Sequence, residues 1–165
     1  MKIRGQTTFS IEPVEFEVME GVVVTLRPAK STLIDSLQRR LPAPRAPSRP
    51  MMKSGGSGYL KENGKIVSQT DESDPAYLAS VTEHGICMMI AVFREGTRGD
   101  PDVEFDAVEP ASGQPEDWKA YYLALRAELD AAGFTLVALR RVSDRVMSIS
   151  GLSNEVLEAE VRDFS

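Results

Sequence analysis

The chain has 165 residues, of which 42% are hydrophobic and 27% are charged, and its formal net charge is −6. This length favours a single domain, residues 1–165, and the acidic balance disfavours nucleic acid as a partner because phosphate contacts need clustered positive charge. The single cysteine, Cys87, excludes an internal disulfide. A basic segment followed by an apolar secretory run is not found at the start of the chain. Together with the single cysteine, this observation predicts a cytoplasmic protein.

Residues 6–27 carry a clear strand signal. Val14, Phe16 and Val18 alternate with glutamates, and a run of three valines follows a glutamate–glycine pair that suits a tight turn. The pattern predicts two or three short antiparallel strands with one face in water. The opposite face then needs a cover, for which the helices downstream are the candidates.

The middle of the chain changes character twice. Leu33, Leu37 and Leu41 have helical spacing and predict a short amphipathic helix that a proline ends. Residues 41–58, rich in proline and then in glycine, predict a long, mobile surface loop. The pair Asn63-Gly64 predicts a small hairpin over residues 59–68, because both residues tolerate positive φ.

Basic side chains cluster around this loop in an otherwise acidic protein. They are Arg39, Arg40, Arg45, Arg49 and Lys53. No aromatic residue is interleaved for base stacking, so the stretch favours a solvated or protein-binding loop over a nucleic-acid site.

Residues 74–165 predict a helical bundle. Its longest helix, residues 74–96, begins at a capping Asp74 followed by proline. Residues 86–93 are apolar apart from the thiol of Cys87 and need cover on several sides. This run is far shorter than the roughly 20 residues that span a bilayer, which predicts no membrane association. Gly85 predicts a kink or a close backbone contact within the helix.

Three further helices are predicted at residues 116–132, from Thr135 and from Ser153, with Gly133 and Gly151 between them. An acidic segment, residues 100–109, precedes them and predicts a short strand or an extended stretch whose acids form a solvated face. The predicted fold class is therefore α+β, with a predominantly α-helical C-terminal bundle and a small N-terminal antiparallel β element.

No catalytic residue, metal ligand set or cofactor site is predicted. The only histidine, His84, shares a helix face with Cys87, but no second pair completes a tetrahedral metal site. The glycine-rich segment lacks the spacing of a phosphate-binding loop. Asp100, Asp102 and Glu104 are spaced as in a calcium loop, yet Phe105 replaces the glycine that such a loop needs.

Four segments carry a family resemblance: VVVTLRPAKSTLID, LPAPRAPSRP, DPAYLAS and GFTLVALRRVSDRVMSISGLSNEVLEAEVRDF. In this order, from about Val22 onward, they resemble tail assembly chaperone-like proteins of long-tailed bacteriophages and prophages. The resemblance implies a non-enzymatic protein that keeps an apolar, helical tape measure protein soluble and helps the tail tube protein to assemble around it.

Met88 and Met89 suit irregular apolar surfaces, which indicates core filling first and partner binding second. The predicted partner-binding residues are this methionine pair and the basic side chains around the loop. Self-association is left open. Two alternatives remain: a structural subunit of the phage tail or neck, whose strands pair with neighbouring subunits, and a small enzyme of unknown class. The chaperone hypothesis places the protein in the host cytoplasm, and the first alternative places it in the virion tail.

Overall fold

A computed structural model of the protein describes residues 12–151. Contacts divide the chain into two compact units, which we call the core unit (Met1–Pro42 with Ile86–Ser165) and the insert unit (Ala43–Gly85). The prediction of one domain over residues 1–165 stays a prediction. The predicted helix from Ser153 and the first residues of the predicted β element lie outside the described residues.

The fold is α+β, as the sequence predicts. The elements in chain order are β1 (Val14–Met19), β2 (Val22–Leu26), α1 (Leu33–Arg40), β3 (Ser48–Pro50), β4 (Lys61–Glu62), β5 (Lys65–Ile66), β6 (Ser68–Thr70), α2 (Pro75–Gly96), α3 (Pro115–Ala131) and α4 (Leu136–Ile149).

In the core unit, β1 and β2 form an antiparallel hairpin with Phe16 opposite Val24. Gly21 makes the turn with φ of +75°, a conformation that favours glycine. The hairpin shares one hydrophobic core with α1, the second half of α2, α3 and α4. The side chains that fill this core include Val18, Leu26, Leu37, Phe93, Leu125 and Val142.

The helix starts confirm the capping predictions. A carboxylate oxygen of Asp74 accepts the Tyr77 amide hydrogen at 2.9 Å, and the Thr135 hydroxyl accepts that of Ala138 at 3.2 Å. Gly133 has φ of +82° where α3 ends. The acidic segment at residues 100–109 forms no strand, and Asp100 itself is buried, so the prediction of a solvated face is wrong for this residue.

In the insert unit, β3 pairs antiparallel with β6, and β4 pairs with β5 around the predicted Asn63-Gly64 turn, where both residues have positive φ. The predicted surface loop at residues 41–58 thus contributes a paired strand. The backbone of Met51 joins the two hairpins, because its amide donates to Val67 and its carbonyl accepts from Leu60, each at 2.8 Å.

Helix α2 is long and apolar enough to cross a membrane by length and composition, with a mean hydropathy of 1.4 in its most apolar window. The prediction that this segment is too short to span a bilayer is therefore wrong. It counted only the apolar run around Cys87, whereas the helix has 22 residues. The core helix of a soluble protein passes the same test. Here the second half of α2 is covered, since Ile86, Ile90 and Phe93 are buried in the core unit.

Candidate functional site

An open groove of about 450 Å³ lies on the core unit. Phe93, Phe105 and Phe134 meet in it, with the ring of Phe93 edge-on to the other two at centroid distances of 6.2 and 5.5 Å. Carboxylates surround this aromatic floor: those of Asp102, Glu104, Asp106 and Glu128. We call this site the acidic groove. Its combination of apolar floor and anionic rim suits a ligand that is both apolar and cationic.

Two buried or partly buried carboxylates fix the loop that carries the rim. Glu128 on α3 accepts the amide hydrogens of Asp106 and Ala107, each at 2.8 Å. At the start of the loop, Asp100 accepts the amide hydrogen of Thr25 on β2 at 2.6 Å. The two bonds to Glu128 satisfy backbone donors of an irregular segment that a strand ladder would otherwise satisfy, and the Asp100 bond links the start of this segment to β2.

The groove was missed at the sequence level, although a signal for it exists. Asp102, Glu104 and Asp106 alternate with Val103, Phe105 and Ala107, which predicts an acidic edge beside an apolar one. The odd-numbered side chains are half-buried and the even-numbered ones are exposed. The alternation does not predict that Phe93 of α2 and Phe134, between α3 and α4, also line the groove.

The insert unit has no buried residue, although its backbone is paired. We call residues 47–71 the arm, closed by the Asp71 amide donating to the Pro47 carbonyl at 2.8 Å. Large apolar side chains along the arm are exposed to solvent: Met51, Met52, Tyr59, Leu60 and Ile66. Isolated two-stranded hairpins are only marginally stable in water, so an arm with this composition gains stability from a cover.

The first half of α2 also presents an uncovered apolar face. Leu78 is 51% exposed and Val81 is 40% exposed, three residues apart on one side of the helix, and Tyr77 beside them is half-buried. We call Leu78 and Val81 the helix face. Its spacing matches that of anchors by which amphipathic helices bind one another.

The predicted methionine site is less open than this helix face. Met88 and Met89 are half-buried and pack against the core. A partner would therefore reach only part of each side chain, and a binding role for the pair stays a prediction.

The predicted basic residues fall in both units. Arg39 is exposed on α1, whereas Arg40 stacks on Trp118, its guanidinium carbon 3.9 Å from the ring centroid. Cation–π stacking gives Arg40 a structural role in the core unit. Arg45 and Lys53 are exposed in the insert unit.

Arg49, the fifth predicted basic residue, is held within the insert unit. It pairs with Asp71 at 3.1 Å and with Asp74 at 3.2 Å. The Ser73 hydroxyl and amide also donate to Asp71, and the hydroxyl bond, assisted by Arg49, lowers the pKa of Asp71 below its ordinary value. Arg49 therefore links the two ends of the arm and the start of α2 through ion pairs, while its side chain stays exposed.

Among residues 12–151, no group of three or more His, Cys, Asp or Glu side chains is placed to hold a metal ion. Cys87 is buried and His84 is half-buried. Burial raises the pKa of the Tyr122 phenol above its ordinary value. No protein-family model, curated protein or solved structure matches the chain.

Proposed function

We propose that the chain is a non-enzymatic tail assembly chaperone of a long-tailed phage or prophage, which binds an apolar, helical tape measure protein and assists assembly of the tail tube. The observation that carries the proposal is the helix face, Leu78 and Val81, which stays exposed on a 22-residue helix. Burying such a face against an apolar partner helix is favourable by about 25 cal/mol per Å² of apolar surface. The family resemblance of the segments supplies the identity of the partner.

We expect the client to contact the helix face rather than the apolar run at residues 86–93, which the sequence suggests. The apolar run at residues 86–93 is the more hydrophobic half of α2, but the core unit already covers most of it. A client helix therefore binds along the first half of α2. The exposed Arg45 of the insert unit provides charge for acidic positions of the client.

Co-expression with an apolar, helix-rich tape measure protein tests the proposal. We expect a larger soluble fraction of the tape measure protein and its co-purification with the chain. The double variant Leu78→Glu/Val81→Glu should lose both effects, because charges on the helix face oppose burial. The matched control is Leu136→Glu/Val137→Glu, which alters two exposed apolar residues of α4 and should leave both effects intact. Equal solubility with and without the wild-type chain would refute the proposal.

A structural subunit of the tail or neck is the second candidate function. The arm favours it, because paired strands with exposed apolar side chains are suited to contact a neighbouring subunit. Mass spectrometry of purified virions separates the two candidates. A chaperone should be absent from the particle, whereas a structural subunit should be present in stoichiometric amount.

A further inference from the structure

We propose that the chain self-associates by docking the arm of one copy into the acidic groove of a second copy. The occupant of the groove is thus residues 47–71 of another molecule of this protein. The proposal does not rest on the tail-assembly function, since it follows from the charge and polarity of two surfaces of the same chain.

The charges of the two surfaces are complementary. The arm contains four cationic and two acidic side chains, a net charge of +2 in a chain of net charge −6. Lys53, Lys61 and Lys65 are exposed and form no ion pair among the described residues. Opposite charges of this kind steer two surfaces together and fix their register.

The rim of the acidic groove supplies matching unpaired anions. The carboxylates of Asp102, Glu104 and Asp106 are exposed, and within residues 12–151 none of them pairs with a cation. The arm thus carries unpaired ammonium groups on both faces of the β4–β5 hairpin, Lys61 on one face and Lys65 on the other, and the groove carries three unpaired carboxylates. The like charges on each surface repel one another when that surface is isolated. Contact between the two surfaces brings opposite charges together and lowers the electrostatic free energy.

The apolar parts of the two surfaces also match. The arm exposes Tyr59 and Ile66 close to its lysines, since Ile66 lies opposite Lys61 in the β4–β5 hairpin. The groove offers Phe105 and Phe134 inside its acidic rim, and its volume falls in the range that takes a drug-sized ligand, and therefore more than one side chain. Docking buries apolar side chains on both partners within a ring of ion pairs, the arrangement of stable interfaces.

The contact joins two different surfaces, so it is heterologous. After the first contact, one copy keeps an unused groove and the other keeps an unused arm, and association continues until a ring closes or a filament grows. Concentration-dependent oligomers, either a two-copy ring that exchanges arms or larger assemblies, are the expected state of the wild-type protein at low salt.

Charge reversal tests the docking by sedimentation velocity. The arm variant is Lys53→Glu/Lys61→Glu and the groove variant is Asp102→Lys/Glu104→Lys, all at exposed side chains. Each variant should sediment as a monomer, with self-association at least tenfold weaker than that of the wild type. An equimolar mixture should associate again, because each groove then meets an arm of opposite charge. The quadruple variant should recover self-association in the same way.

Two controls make the result specific. Arg39→Glu/Arg140→Glu reverses two exposed cations outside the arm and the groove and should leave the oligomer unchanged. Circular dichroism should show that both test variants fold like the wild-type protein. A wild-type protein that stays monomeric at about 100 µM, or single-surface variants that associate as the wild-type does, would overturn the proposal.

Discussion

Gly96 of α2 packs directly against Val146 of α4, because a β-carbon built at Gly96 would lie 2.3 Å from Cγ2 of Val146. The Gly96 carbonyl also accepts the Arg27 amide hydrogen at 2.7 Å. The glycine thus allows two helices and the segment after β2 to meet at one point, where no other residue fits without movement of its neighbours.

We therefore expect Gly96→Ala to lower the free energy of unfolding by about 1–3 kcal/mol through overpacking. Gly85→Ala is the matched control in the same helix, since nothing lies within 4 Å of its added β-carbon. That control should stabilise the protein by up to about 1 kcal/mol, because alanine favours helix. Urea unfolding of both variants measures the difference, and equal effects of the two substitutions would contradict the close approach.

Asp100 is expected to hold the rim loop of the acidic groove through its bond to Thr25. Asp100→Ala leaves a backbone donor without its partner and should cost about 1–3 kcal/mol of stability. Asp102→Ala, two residues away and exposed, should change stability by less than about 0.5 kcal/mol. Hydrogen exchange offers a second readout: the Thr25 amide should exchange faster in the first variant only, and unchanged exchange would argue against the bond.

Adjacent arginines on α4 are expected to differ in their effect on stability. Arg141 donates to the carbonyls of Val18 and Glu17 on β1, at 2.8 and 3.3 Å, so Arg141→Ala should cost about 1 kcal/mol. Arg140 only approaches the exposed Asp144, at 3.9 Å, and Arg140→Ala should cost less than about 0.5 kcal/mol. Thermal unfolding of the two variants in parallel compares these costs, and a reversed order would rule out the anchoring role of Arg141.

Tyr122 gives the protein a specific sensitivity to alkaline pH. Burial raises the pKa of its phenol above the ordinary value of 10, so the folded state keeps the proton that the unfolded state loses. The resulting stabilisation is complete below pH about 10 and is lost as pH rises through the raised pKa. The stability difference between wild type and Tyr122→Phe should therefore stay constant below pH about 10 and shrink as pH rises above it.

Denaturant unfolding at each pH measures this difference. A constant difference for Tyr122→Phe would mean that its phenol titrates normally.

Local signals in the sequence predicted the elements well. The cap at Thr135, the Asn63-Gly64 turn and the leucine spacing of α1 each depend on neighbouring residues, and the structure confirms all three. Gly85 and Gly96 were harder to tell apart. Both are glycines of α2, and only the position of Val146, 50 residues further along the chain, makes Gly96 the point of close contact.

The candidate sites were predicted less well, because they too depend on contacts between segments that are distant in the sequence. Basic charge in the chain is visible in the sequence, but the stacking of Arg40 on Trp118 and the pairing of Arg49 with Asp71 depend on tertiary contacts. The acidic groove likewise needs Phe93 and Phe134 to meet a loop between them. Such sites arise from distant segments, and periodicity within one segment does not report them.

The bond between Arg141 and Val18 joins residues 123 positions apart, across the whole insert unit. During synthesis, the ribosome therefore releases the valine-rich β1–β2 hairpin long before α4 exists to anchor it. At 5–20 residues per second, this interval lasts about 6–25 s, during which the nascent hairpin has neither its anchor nor its full core. The order of segments thus delays closure of the core until α4 has been synthesised. Slowing translation within residues 43–85 should lengthen the time during which the exposed hairpin can aggregate.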